Sequence, residues 1–372
     1  VSAQAIGTNL LTQRIYLDHA ATSPMLPQAR EAMIEGMLRW ANPSSPHAEG
    51  RAARAALEDA RTRIKATLGW QGHVIFTGGA SEALGIAMRL AKGGRRWRSS
   101  VEHDAVLRAA PDAGVLPVNG EWDVDFDAVR DALAVGDRPV IAIQWVNPET
   151  GKVQPIERYA PMIAEGGGVM VTDASQLWGL NRFPREGDLI VLSAHKLGGP
   201  IGVGALLVGD LALLEASGGQ EFGYRGGTEN LPAVLGFAAA VEAWGARRTA
   251  MPDAERHHEM MDLHRTLKSY GAHQLMGYGE YVGNIRALAM PGLSAAAQLV
   301  RFDLKGFAVS AGSACASGTL KPSRVLQAFG VDPDVARRTI RVSMGWSTTA
   351  EEIRAFTDMW IDIAADAGAR AA

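Results

Sequence analysis

Gly168-Val169-Met170-Val171-Thr172-Asp173 and Leu189-Ile190-Val191-Leu192-Ser193-Ala194-His195-Lys196 are two short apolar runs, and each ends on residues suited to chemistry. Both runs are too short for a helix and rich in Val, Ile and Leu, so each is predicted as a buried strand. Val140-Ile141-Ala142-Ile143-Gln144-Trp145-Val146 is a third run of this kind. His73-Val74-Ile75-Phe76-Thr77 reads as a strand that turns at Gly78-Gly79 into a helix over Ser81–Leu90, and Glu49–Leu68 reads as a long amphipathic helix. Strands without a polar face need cover on both sides, and helical segments alternate with them over roughly residues 25–250. The fold class that follows is α/β, with a mostly parallel sheet clothed in helices. After Pro252 the pattern is mixed. Helices are predicted near Ala254–Tyr270, Ser294–Val300 and Glu351–Ala365, with short strands between, as in a smaller α+β domain. The expected division is a large domain over 15–250 and a small one made of 1–14 and 251–372.

Composition narrows the function classes. A chain of 372 residues with 47% hydrophobic and 21% charged content can bury a large core. A net charge of −3 gives no basis for nucleic-acid binding. No apolar run reaches the ~18 residues that suggest a membrane span. The start, Val1-Ser2-Ala3-Gln4-Ala5, lacks the basic-then-apolar pattern of a signal peptide. With one cysteine in the chain, a reducing compartment, the cytoplasm, is expected. Lys92, Arg95, Arg96 and Arg98 are read as a solvated turn. His257, His258 and His264 share a predicted helix without an acidic or thiol partner, so no metal site is expected. The alanine-rich end from Ala364 is expected to fray.

Chemistry gathers at the strand ends. Thr77-Gly78-Gly79-Ala80-Ser81-Glu82 could offer backbone N–H groups and a helix N-terminus to a phosphate, or merely cap the helix. Asp173 stands beyond a strand's carboxyl end, where open α/β sheets bind ligands, although capping the next segment is the plainer role. Lys196 lies between His195 and Leu197-Gly198-Gly199-Pro200, away from any ordinary charged face. A phosphate turn, an acid and an amine together describe pyridoxal phosphate chemistry, in which the amine takes the cofactor's aldehyde and the acid keeps its pyridine nitrogen protonated. Cys315 lies in Ser310-Ala311-Gly312-Ser313-Ala314-Cys315-Ala316-Ser317-Gly318. As the only cysteine it has no intramolecular disulfide partner, and its small neighbours suit a nucleophilic thiol that must reach something. No Lys or Arg lies within five residues of it, so the local sequence does not account for a lowered thiol pKa.

The stretches Tyr16-Leu17-Asp18-His19-Ala20-Ala21-Thr22, Asn42-Pro43-Ser44-Ser45, Phe76–Glu82, Glu102-His103 and Thr172–Gln176 form a set in this order. It continues with Ser193–Lys196, Arg225-Gly226-Gly227-Thr228-Glu229-Asn230 and Gly312–Cys315. The set resembles the cysteine desulfurases of the class-V aminotransferases, pyridoxal-phosphate enzymes of the aspartate-aminotransferase fold (fold type I), over nearly the whole chain. The cysteine loop resembles group I, the branch serving nitrogenase-type and housekeeping iron–sulfur cluster assembly.

That resemblance implies conversion of L-cysteine to L-alanine, with sulfur passing to Cys315 as a persulfide and then to a sulfur-acceptor or iron–sulfur scaffold protein. It implies that Lys196 carries the cofactor and moves protons, with His103 against the ring. Asp173 would pair with the pyridine nitrogen and Gln176 with the phenolic oxygen. Ala80, Ser81, Ser193 and His195 would bind the phosphate, and Thr228 would reach the phosphate of the neighbouring subunit in a homodimer. Arg341 and Asn147 would contact substrate, Arg341 through the carboxylate. An aminotransferase, a selenocysteine lyase and a catalytically silent partner protein are the alternatives on the same scaffold. The chain departs from the family pattern at Asn147-Pro148-Glu149-Thr150-Gly151, where Pro148 supplies neither an amide side chain nor an N–H. It departs again at Trp346, which is expected to pack.

Overall fold

The computed structural model describes residues 14–249, 254–312 and 323–371. Among these, the strands in chain order are β1 (Ile15–Tyr16), β2 (His73–Thr77), β3 (Arg96–Ser99), β4 (Gly114–Leu116), β5 (Val140–Gln144) and β6 (Val169–Asp173). They continue with β7 (Leu189–Ser193), β8 (Gly204–Val208), β9 (His273–Gln274), β10 (Ile285–Ala289), β11 (Phe307–Ala308) and β12 (Thr339–Ser343). Seven of them form one sheet in the order β2-β8-β7-β6-β5-β3-β4. Every pairing from β7 through β4 is parallel, whereas β8 runs antiparallel to both of its neighbours. The sheet is therefore mixed and mostly parallel, with one reversed strand.

Successive side chains of a strand point to opposite faces, and here each face has its own core. Ile141 and Ile143 lie with Leu57, Ile64, Phe237 and Trp244 on one side. Ala142 lies with Leu84, Met88, Val106 and Val191 on the other. This double cover is why β5 carries no polar alternation.

Helix ends follow local chemistry. The helix Ala48–Leu68 starts where the His47 ring accepts from the Gly50 N–H at 3.2 Å. It stops at Gly69, whose φ of 67° lies in the left-handed region that favours glycine. The helix Ala295–Leu304 is capped by Ser294 and runs past the predicted end at Val300. The last helix, Ala350–Ala371, continues through the alanine-rich end expected to fray, in keeping with the high helix propensity of Ala.

Only half of the basic cluster is a solvated turn: Lys92 and Arg95 are exposed in the bend before β3. Arg96 and Arg98 lie on β3, and the Arg96 guanidinium donates to the carbonyls of Met88 (3.0 Å), Gly93 (2.8 Å) and Ala91 (2.6 Å). The Arg95 guanidinium lies 4.7 Å from the centre of the Trp97 ring. Charge there is spent on holding the loop before the strand.

β9, β10 and β12 form a second, antiparallel sheet, and β1 pairs parallel with β11. A third core, with Leu17, Phe302, Phe307, Val342, Phe356 and Trp360, lies beneath them. Bridges from Asp18 to Ser343 and from Ser310 to Arg341 bring the start of the chain and this second sheet together. No helix among the described residues is long and apolar enough to cross a membrane.

Candidate active site

Strands β2, β6 and β7 end at Thr77, Asp173 and Ser193, so three predicted site segments leave one sheet edge. At the first, Gly79 adopts φ 146°, and the helix Ala80–Leu90 begins without a side-chain cap. No described group accepts from the N–H of Ala80 or Ser81. A Cβ on Gly204 of the adjoining strand would sit 2.9 Å from Gly79 backbone atoms, so glycine there allows the turn to close down on the sheet. Glu82 braces the turn by accepting from the Gly78 N–H and from Arg225 Nε, the latter at 3.0 Å.

Ser193 supplies the strongest sign of a ligand-binding position. Its hydroxyl is buried and has no hydrogen-bond partner, and such groups normally find one. With the open N–H groups of the glycine turn, it fits a phosphate at this edge. His195 Nδ1 lies 3.1 Å from Thr22 Oγ1, and burial followed by the neighbouring Lys196 lowers its pKa to about 4.

Asp173 uses one carboxylate oxygen to accept from the Ser175 N–H (2.9 Å) and hydroxyl (2.5 Å). Its other oxygen has no hydrogen bond among the described residues, so the capping reading accounts for half of the group. The Gln176 amide donates to the Ala20 carbonyl at 2.8 Å and has a second N–H to give.

Lys196 follows in the turn after β7, with no hydrogen bond or ion pair on its amine among the described residues. Burial pulls its pKa down, Asp173 opposes this and Arg341 adds to it. Burial likewise lowers His103, with Lys196 adding and Asp173 opposing. Asp173 and Arg341 thus lie near enough to act on Lys196, and Lys196 and Asp173 near enough to act on His103. His103 also caps the helix Asp104–Ala109, its Nδ1 accepting from the Ala105 N–H at 3.2 Å. That bond puts the proton of the neutral ring on Nε2.

Beneath His103 lies Glu102, fully buried, which accepts from Ser99 Oγ (2.6 Å) and the Gln144 N–H (2.7 Å) through one oxygen. Its second oxygen has no partner, and burial above all pushes its pKa up to about 8. Glu102 stands in the Glu102-His103 motif, but nothing in the sequence assigns it a role.

Arg341 of β12 is gripped from two sides. One terminal nitrogen donates to Asp18 Oδ1 at 2.8 Å and the other to the Pro148 carbonyl at 3.0 Å, while its Nε–H is buried without a partner. Pro148 thus contributes the one polar group it has. Asn147 is fully buried, and its Oδ1 accepts from the N–H groups of Glu149 and Thr150, both at 3.0 Å, and from Thr150 Oγ1 at 3.1 Å. It shapes the turn that meets Arg341. Asp18 went unassigned in the sequence reading, although it stood inside a quoted motif.

Thr228 is exposed and makes no hydrogen bond to the other site residues among the described residues. Cys315 lies outside the described residues. Trp346 packs on the main core and donates its indole N–H to the Pro24 carbonyl at 2.8 Å. His257, His258 and His264 are exposed, and no metal-binding cluster occurs among the described residues.

Residues 15–356 match the family described as Aminotransferase class-V. A protein of Cereibacter sphaeroides named cysteine desulfurase is 35% identical over 364 residues, covering 92% of this chain and 93% of its own. Cysteine desulfurase IscS of Dictyoglomus turgidum is 34% identical over 373 residues, covering 94% of each. Among solved structures, a NifS-like protein from Rickettsia africae aligns with a TM-score of 0.85 at 27% identity, covering 94% of this chain and 99% of its own.

Proposed function

The chain belongs to the class-V aminotransferase family, and we propose that it is a pyridoxal-phosphate-dependent cysteine desulfurase that takes L-cysteine to L-alanine. The observation that carries this reading is the unpartnered Lys196 amine beside Asp173 and Arg341, one turn beyond the orphaned Ser193 hydroxyl. Bound there, the cofactor supplies an electrophilic carbon for an amine and an electron-withdrawing ring.

The chain's own residues do the rest. Lys196, with its pKa lowered, spends more time as the free amine that can attack a carbonyl and carry a proton. The open oxygen of Asp173 would hold a proton on the ring nitrogen, and Gln176 would donate to the ring's oxygen. Ser193, His195 and the N–H groups of Ala80 and Ser81 hold the phosphate. His103 would lie against the ring, with its Nε2–H available. Arg341, aimed by Asp18 and Pro148, binds the substrate carboxylate with its remaining N–H groups. Asn147 is a positioning residue of that turn.

Cys315 acts as the thiolate. Its sulfur bonds to the substrate sulfur as the carbon–sulfur bond breaks. The bonding pair goes to the carbon skeleton, which leaves as alanine after protonation, and a persulfide stays on Cys315. Its small neighbours let it pass that sulfur to an acceptor protein, an iron–sulfur scaffold among them. We also assign the large domain to 15–250 and the small one to 1–14 with 251–372. The protein acts in a reducing compartment, the cytoplasm, as a homodimer in which exposed Thr228 reaches the neighbouring subunit's phosphate site.

The test compares the native chain with Cys315→Ser at equal cofactor loading, measuring alanine and sulfide from L-cysteine with a thiol reductant. Equal amounts of both products, made by the native chain only, are expected. An active Cys315→Ser would replace this reading with a lyase or aminotransferase on the same scaffold.

A further inference from the structure

Glu149 takes no part in the chemistry above, yet it stands where three parts of the site meet. Its Oε2 accepts from Ser323 Oγ at 2.5 Å. The same oxygen lies so close to Gly312 that a Cβ there would fall 2.0 Å from it. Gly312 and Ser323 are the described residues that flank 313–322, the stretch that contains Cys315. One residue before Glu149, the Pro148 carbonyl accepts from the Arg341 guanidinium at 3.0 Å. Arg341 also exchanges two backbone hydrogen bonds with Ser310, at 3.1 and 2.6 Å.

These contacts close a circuit. One arm runs from Arg341 through Pro148 and Glu149 to Ser323, and the other from Arg341 through Ser310 and Gly312 back to Glu149. Ser323 has nothing left to give elsewhere, because its hydroxyl donates to Glu149 while accepting from the Leu326 N–H at 3.0 Å. Burial raises the Glu149 pKa, with the Ser323 bond and Arg341 opposing. A half-buried carboxyl that joins the two flanks of one segment is an expensive way to fill space.

We propose that Glu149 is a positioning residue that holds Gly312 and Ser323, the described residues on either side of 313–322, in place relative to Arg341, and that losing this hold slows sulfur transfer to Cys315. The proposal rests on the desulfurase reading for its consequence and on the contacts of Glu149 for its geometry. Its effect is to shape sulfur transfer and leave the grip on the substrate carboxylate unchanged.

The holoenzyme tests this with two readouts. The first is steady-state alanine release. The second is the rate at which iodoacetamide alkylates the protein, which reports on Cys315 alone because it is the chain's one cysteine. For Glu149→Ala, kcat is expected to fall about tenfold, the scale of one lost buried hydrogen bond to a carboxyl group, with KM for L-cysteine within about twofold. Alkylation of the resting enzyme is expected to speed up about threefold, an order-of-magnitude figure for released tethering. Glu149→Gln keeps an acceptor for Ser323 and restores most of both. Ser323→Ala reproduces the Glu149→Ala effects, and the double variant is no worse than either single one.

A raised KM at unchanged kcat, an unchanged alkylation rate, or additive effects in the double variant would overturn the proposal. Should Glu149→Ala fail to load the cofactor, Ser323→Ala and Glu149→Gln carry the comparison. A native chain that released no alanine from L-cysteine would defeat the desulfurase reading instead, and the alkylation rates would still judge Glu149.

Discussion

Two enclosed lysines, Lys152 and Lys196, are treated in opposite ways. The Lys152 amine lies 2.8 Å from Asp123 Oδ1, donates to the Tyr278 carbonyl at 2.6 Å and sits over the Tyr281 ring at 5.6 Å. It is 1% exposed and fully partnered. The Lys196 amine has no such partner among the described residues, and burial pulls its pKa down. A buried ammonium given an acid, a carbonyl and a ring face is a clasp between loops. One denied them is poised to lose its proton. Lys152 is buried and partnered whereas Lys196 is half-buried and unpartnered, and the missing partners mark the reactive amine.

The sharpest way to break that contrast is to remove each amine. Lys196→Ala should lower alanine release by at least about 10³-fold, since it deletes both the covalent carrier and the proton carrier, while the melting curve stays close to native. Activity within tenfold of native in a steady-state assay would mean that the unpartnered amine is not the reactive one. Lys152→Met should act the other way. It strands a buried Asp123 and should cost about 3–5 kcal/mol of stability, with kcat per folded molecule within about twofold. Urea denaturation reads this directly. Lys152→Met combined with Asp123→Leu should recover much of the loss, because removing both charges leaves neither unpaired. A Lys152→Met protein of native stability would show the clasp to be ornamental.

The same distinction explains what could be read in the sequence. Strands β2, β6 and β7 were legible because runs without a polar face have few alternatives. Lys196 and Asp173 were legible because they stand at the ends of those runs. β3, Arg-Trp-Arg-Ser, was missed because the Arg96 head is satisfied by carbonyls of the preceding segment, and composition says nothing of such partners. Lys152 gave no signal either, since its partners Asp123 and Tyr278 lie far off in the chain. Asn147 was read as a substrate contact on family resemblance. The structure turns its oxygen onto its own turn, which an Asn-Pro-Glu-Thr-Gly stretch could have suggested. Glu149 was invisible for a further reason: its role depends on two chain ends that only the fold brings together.

Glu102 carries the contrast to an acid, with the smallest effect. Like Lys196 it leaves part of its charge-bearing group unpartnered, and in its fully buried position the pKa of its carboxyl is pushed up to about 8. Below the ordinary carboxylate range Glu102 is protonated in both the folded and unfolded chain. As pH rises, the unfolded chain ionises first while the folded carboxyl holds its proton. The native state therefore loses stability progressively until pH passes about 8, where the loss is complete. Glu102→Gln carries no proton to lose and can still accept from Ser99 and Gln144. Its melting temperature relative to native should therefore climb between pH 5 and pH 8, by on the order of a few °C, and level off above that. A difference constant across this window would mean that Glu102 is ionised in the fold. Its two donors and Arg324 would then outweigh burial, and Glu102 would belong with Lys152 among the partnered charges.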